Sequence, residues 1–256
     1  MVWLRALVAL PFGLALGSFM TVAVHRLPAR ESVVRPRSRC PRCGVEIRSR
    51  DNIPVISWLL LRGRCRSCGH PISRVYPLTE LTTAGLVVAA VLRFDRPWEG
   101  ALVAGLLSLM PALAIIDIRH RILPNKLTHP ALVIFPIAVV VAWIFDGGVD
   151  PVRALIGGLA YGGALFIVAL VSGGMGMGDV KLAAVIGIVF GAVGLRYVAV
   201  AASGAILFGG VAAVISLILG ADRKSMIPFG PWIAAGAVVA GFWGDRLASA
   251  YLSRVT

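Results

Sequence analysis

Acidic residues are scarce in this sequence, with 12 Asp and Glu against 25 Lys and Arg in 256 residues. Charged residues of both signs make up only 14% of the chain, where a soluble domain carries about a quarter. With 58% hydrophobic residues and a mean hydropathy of +0.88, water is excluded as the main solvent. Each membrane span needs about 20 apolar residues, so little chain remains for a large soluble catalytic domain. Cysteine is limited to four residues, all in one polar stretch, which excludes a disulfide-stapled scaffold. The net charge of +13 would suggest nucleic acid in a soluble protein. Here the basic residues cluster between Arg26 and Arg74, at Arg119, Arg121 and Lys126, and at Arg223 and Lys224. Basic residues at the ends of apolar spans record orientation and contact with anionic headgroups, so no nucleic-acid partner is expected.

Long apolar runs are abundant. They fall at about 3–24, 78–93, 99–116, 128–145, 152–172, 180–195, 197–219 and 230–252. Charge, Gly or Pro separates them, as in Asp146-Gly147-Gly148. The first run extends to about twenty residues and ends in His25-Arg26, which reads as a retained helix rather than a cleaved signal peptide. The expected fold is therefore all-α and polytopic in the membrane, with about eight transmembrane helices and a small cytoplasmic loop after the first. Its expected division is a first transmembrane helix (1–24), a zinc-binding loop (25–77) and a transmembrane domain (78–256). If the first helix exits into the cytoplasm, 18 of the 25 basic residues fall inside. That bias places the amino terminus outside. Paired glycines at Gly157-Gly158 and Gly162-Gly163 fit close helix packing.

Two acidic residues stand apart from the polar connections. Asp117 closes the run Leu113-Ala114-Ile115-Ile116, and Asp179 opens the sixth helix after Gly176-Met177-Gly178. The helix count and the charge count bring both to the cytoplasmic boundary. An ionisable group in a span is costly and points to function. Two neighbouring carboxylates share a proton, so one can activate water while the other protonates a carbonyl. Gly176 and Gly178 would let backbone approach a peptide and adopt unusual dihedrals. The same pattern also fits a proton-coupled transporter. It fits plain boundary charges too, with Asp117 paired to Arg119 or Arg121 and Asp179 at a helix amino terminus.

Cys40-x-x-Cys43 and Cys65-x-x-Cys68 are separated by 21 residues. Two such knuckles can close a four-thiolate tetrahedron, which suits structural Zn²⁺. That metal would order a loop too small to build its own core. His70 reads as a surface residue. Trp58-Leu59-Leu60-Leu61, between the knuckles, is expected to pack beneath the metal or rest on the membrane surface.

Gly176-Met177-Gly178-Asp179 matches the G-x-G-D signature of membrane aspartyl proteases, and Gly174 to Leu182 resembles the second catalytic motif of the prepilin peptidase family. Ile116-Asp117-Ile118 through Leu123-Pro124-Asn125 resembles the first motif, with Asn125 where many members carry Asp. Gly17-Ser18-Phe19, Val24-His25-Arg26-Leu27-Pro28, both cysteine knuckles, Asp51-Asn52-Ile53-Pro54, Tyr76-Pro77-Leu78-Thr79-Glu80 and Ile227-Pro228-Phe229-Gly230-Pro231 follow in the family's order. The resemblance implies a hydrolase of the bacterial inner membrane with Asp117 and Asp179 as its catalytic pair. Its substrates would be type IV prepilins or type II secretion pseudopilins, cut after a Gly at the cytoplasmic end of their apolar helix. It also implies a second activity, N-methylation of the new amino terminus with S-adenosylmethionine, although no glycine-rich nucleotide loop is evident. Lys181 would tune the pair or meet headgroups. Glu80 would contact the substrate's amino end or serve as a helix-terminal charge. A scaffold of the pilus machinery would have no use for the two aspartates.

Overall fold

A computed structural model describes residues 2–172, 175–220 and 228–255. Gly174, Arg223, Lys224 and Ile227, singled out above, lie outside the described residues. Helix α1 (Val2–Arg26) leads into the loop, which holds one 3-10 turn (Ser49–Asp51) and a short helix α2 (Ile56–Leu60). Then follow α3 (Val75–Arg93), α4 (Pro97–His120), α5 (Asn125–Asp146), α6 (Pro151–Ser172), α7 (Met177–Val193), α8 (Leu195–Ile218) and α9 (Gly230–Val255). Among the described residues, β pairing is limited to two isolated bridges in the loop.

The eight apolar runs each become one long helix, for local reasons. Pro97 starts α4, where its missing N–H costs nothing. The Asp150 carboxylate accepts the N–H groups of Val152 and Arg153 at the head of α6. Gly147, with φ of 64°, ends α5 in the left-handed region. Six of the eight are long and apolar enough to cross a membrane. Helix α7 has only 17 residues, and α9 carries Asp245 and Arg246. The chain is a multi-pass membrane protein.

Glycine faces hold the bundle together. A Cβ on Gly157 would stand 2.3 Å from the carbonyl oxygen of Gly187, so α6 and α7 meet backbone to backbone. Gly236 of α9 is pressed on α8 in the same way, against Ala201 and Ala205. Gly13 and Gly17 seat α1 on Ala84 and Glu80 of α3. Leu106, Leu107, Met110, Leu113 and Ile116 of α4 and Leu182, Ile186 and Phe190 of α7 are fully buried. Helix α8 keeps only five buried residues and faces outward. The two enclosed helices, α4 and α7, carry the two aspartates. Up-and-down connectivity brings the end of α4, the start of α7 and the start of α9 to the same end of the bundle as the loop.

Candidate active site and metal centre

Asp117 lies in the last turn of α4 and is buried, at 5% exposure. Its Oδ2 accepts the backbone N–H of Gly230, the first residue of α9, at 2.9 Å. A hydrogen bond to a charged group contributes about 1.5–3 kcal/mol. This one also fixes the rotation of the carboxylate. The chain then reverses through Arg121 in the left-handed conformation, and Pro124 opens α5. Neither Arg119 nor Arg121 pairs with Asp117 among the described residues.

Asp179 lies in the first turn of α7, where the helix dipole favours negative charge. Its N–H donates to the Gly176 carbonyl at 3.1 Å, and its buried Oδ1 has no hydrogen-bond partner among the described residues. Both carboxylates line one cavity of about 520 Å³, together with Leu123, Asn125, Gly176, Gly178, Lys181 and Phe229.

The glycines of this turn act differently from expectation. Gly176 has φ of −73° and Gly178 is not among the positive-φ residues, so neither needs glycine for its dihedrals. Gly178 is small because Leu123 lies against it, with a Cβ predicted to fall 2.7 Å from the Leu123 Cβ. That contact clamps the first turn of α7 onto the segment after Asp117. A Cβ on Gly176 would meet Asp179 Oδ2 in ordinary contact at 3.6 Å, and Gly176 lines the cavity with backbone.

Lys181 lines the cavity, and its Nζ donates to Asn125 Oδ1 at 2.8 Å, tying α7 to α5. Glu80 stands apart from this cavity. It is buried in α3, and its Oε2 accepts the Val55 N–H at 2.7 Å. Val55 has φ of 62° and ψ of −51°, with the Ile56 N–H bonded to the Pro54 carbonyl, a strained γ-turn. Glu80 thus latches the loop onto the bundle. Gly230 is the residue missed in the sequence. Its segment was recognisable, but no motif shows that its N–H meets Asp117.

The loop is built from one unit used twice. Cys40 N–H bonds to Val45 O and Gly44 N–H to Cys40 O; Cys65 N–H bonds to His70 O and Gly69 N–H to Cys65 O. Gly44 and Gly69 take φ of 71° and 69°, so each C-x-x-C-G turn requires its glycine. The four Sγ atoms lie within 4.8 Å of one another, and Cys40 and Cys68 are 3.8 Å apart. A Zn–S bond of about 2.3 Å gives a tetrahedral edge of about 3.8 Å, so the thiols fit a metal of this kind. The His70 ring is not part of the cluster. Trp58 packs on Gly63 and donates to the Ile72 carbonyl at 3.1 Å, inside the loop, while Leu59 and Leu60 are exposed. Arg66 holds Asp51 through two hydrogen bonds, of 2.9 and 2.6 Å. That guanidinium keeps the Asp51 carboxyl below the usual carboxylate range.

Residues 12–94 match the family model described as the Bacterial Peptidase A24 N-terminal domain, and residues 102–243 match the Type IV leader peptidase family. The chain is 36% identical over 246 residues to a prepilin leader peptidase/N-methyltransferase of Bacillus subtilis, covering 94% of this chain and 95% of the relative. A protein of that name from Pseudomonas aeruginosa is 35% identical, covering 94% and 91%. One from Myxococcus xanthus is 42% identical over 182 residues, covering 68% and 53%. No solved structure matches. With both halves matched in order, and relatives that run the length of the chain, this protein belongs to the type IV leader peptidase family.

Proposed function

We propose that this protein is a membrane aspartyl endopeptidase that removes the leader peptide of type IV prepilins or type II secretion pseudopilins, with Asp117 and Asp179 as its catalytic pair. The observation that carries this reading is the shared cavity. Two carboxylates from the two enclosed helices face it, and neither is neutralised by a cation among the described residues. Water held between them attacks the scissile carbonyl. One carboxylate takes the water's proton as the C–O bond forms, and the other protonates the carbonyl oxygen. Breaking the C–N bond then passes a proton to the leaving amine and restores the pair. Gly230 N–H holds one Asp117 oxygen, leaving the other for this exchange. Gly176 lines the cavity beside the pair with no side chain to exclude an extended peptide.

In this reading all eight long helices span the bacterial inner membrane, the amino terminus is outside, and the cavity faces the cytoplasm with the loop. Residues 1–24 form the first span, 25–77 the zinc loop and 78–256 the peptidase domain. Cys40, Cys43, Cys65 and Cys68 would hold Zn²⁺, which orders the loop and takes no part in cleavage. The relatives' names add N-methylation, for which S-adenosylmethionine would supply the methyl group. By the family resemblance, that activity would rest on the cytoplasmic loop after α1.

The test is cleavage of a purified prepilin by the protein in lipid, with Asp117→Ala and Asp179→Ala alongside and zinc retention as the folding control. Cleavage by wild type and loss of about 10³-fold or more in each variant is the expected result. Cleavage by the folded variants would remove the catalytic assignment. Inactivity of wild type on several prepilins would return the transporter reading of the same two residues.

A further inference from the structure

A second cavity, of about 610 Å³, lies where α1 enters the loop, and no part of the peptidase reading uses it. Its floor is Val22 and Arg26 of α1, and its walls include Arg37, Arg48 and Ile47. Arg26 donates to the carbonyls of Ser32 and Arg37, which anchors its guanidinium at the helix end. Arg37 pairs with Glu46, the one carboxylate among the described lining residues, at 3.1 Å. Arg48 forms no ion pair among the described residues. Three guanidinium groups against one carboxylate leave the cavity with a net positive charge.

The position of this cavity on α1 identifies its ligand. Gly13, Gly17, Met20 and Val24 form the helix face that packs on α3 and α4. Val22 and Arg26 lie on the opposite face, in line with Val8, Phe12, Ala15 and Phe19 at helical spacing. Those four are exposed, Phe12 at 66% and Phe19 at 43%. From Phe12 to Val22 is ten residues, about 15 Å of helix, the depth of one leaflet of a hydrocarbon core roughly 30 Å thick. An apolar stripe one leaflet deep therefore runs straight into a cationic cavity.

We propose that this cavity is a binding site for the headgroup of an anionic phospholipid whose acyl chains lie along the outer stripe of α1. The phosphate meets Arg26, Arg37 and Arg48, and Val22 carries the chains past the boundary. Among the described residues, its lining shares none with the cavity that holds Asp117 and Asp179.

The experiment is native mass spectrometry of the whole protein extracted with equal phosphatidylglycerol and phosphatidylcholine. Wild type should retain one phosphatidylglycerol in preference. The variant R26Q/R37Q/R48Q should lose that preference by about 10- to 100-fold. A charge-matched control, R42Q/R62Q/R74Q, should keep it, with retained zinc showing both variants folded. Equal retention by wild type and the site variant overturns the site. Equal loss in both variants overturns it as well, since general basicity would then suffice. Displacement of the lipid by glycerol 3-phosphate at equal concentration overturns the lipid reading in favour of a free anion, and displacement by S-adenosylmethionine in favour of the methyl donor.

Discussion

At the end of the bundle away from the loop, Asp245 of α9 is surrounded by cations and donors. Arg93 reaches its Oδ2 at 3.3 Å, Arg196 pairs with its Oδ1, and the Tyr197 hydroxyl donates to it. Arg93 also donates to the Phe242 carbonyl, so three helices, α3, α8 and α9, are tied through one carboxylate. At the loop end Asp117 and Asp179 also join separate helices, yet among the described residues neither meets a cation. Asp117 has one backbone N–H, and Asp179 Oδ1 has no partner among the described residues. A carboxylate whose charge is already matched is committed to structure. One left unmatched beside a cavity retains the capacity to move protons, at the cost of incomplete satisfaction.

The most severe way to break this contrast is to remove the charge at either site. Asp117→Asn and Asp179→Asn should each abolish prepilin cleavage, about 10³-fold or more, with little change in melting temperature. Asp245→Asn should do the reverse: cleavage stays within about twofold while stability falls by about 2 kcal/mol, read as a lowered melting temperature in detergent. A next smaller effect tests the support of Asp117. Gly230→Ala would put a Cβ 2.7 Å from Asp117 Oδ2, and the displaced carboxylate should cost about 100-fold in kcat with a smaller change in KM. Weaker still, Lys181→Met removes the tie to Asn125, and about a tenfold loss of cleavage is expected with the melting temperature held.

The loop offers its own comparison with the bundle. In the zinc-loaded protein proposed above, chelation, or Cys68→Ser, should make the remaining thiols reactive and loosen the loop while the helical signal of the bundle persists. The Asp51–Arg66 tie should have the smallest effect. Arg66 holds the Asp51 pKa below its unfolded value, so the tie stabilises the loop at neutral pH and is lost as pH falls through that lowered pKa, beneath about pH 4. Arg66→Gln should speed amide exchange in the loop at pH 7 and erase this acid-dependent step. An unchanged exchange pattern would show the knuckles order the loop without it.

Much of this was readable before folding. Hydrophobic runs separated by charge, Gly and Pro predict each long helix, because lipid leaves the backbone no partner but itself. The cysteine spacing points to the four-thiol cluster, since the geometry of a knuckle is local. Asp117 and Asp179 could be brought to one end of the bundle by counting helices. Glu80 could be marked as unusual, but the loop amide it accepts is 25 residues away and has no signature. Gly178 was expected to take unusual dihedrals, and instead it is a packing contact with Leu123.

The sequence by itself determined the solvent, the helices, the knuckles and the two residues at stake, because each follows from local composition and period. Only the tertiary structure decided which carboxylates are matched and which are not. It brought Gly230 to Asp117 across 113 positions, tied Lys181 to Asn125 and surrounded Asp245 with arginines from two other helices. The physical reason is that helix–helix contact in a membrane depends on where small residues let backbones meet. The rotation of each helix, and so the direction each polar group faces, is set by all the contacts together.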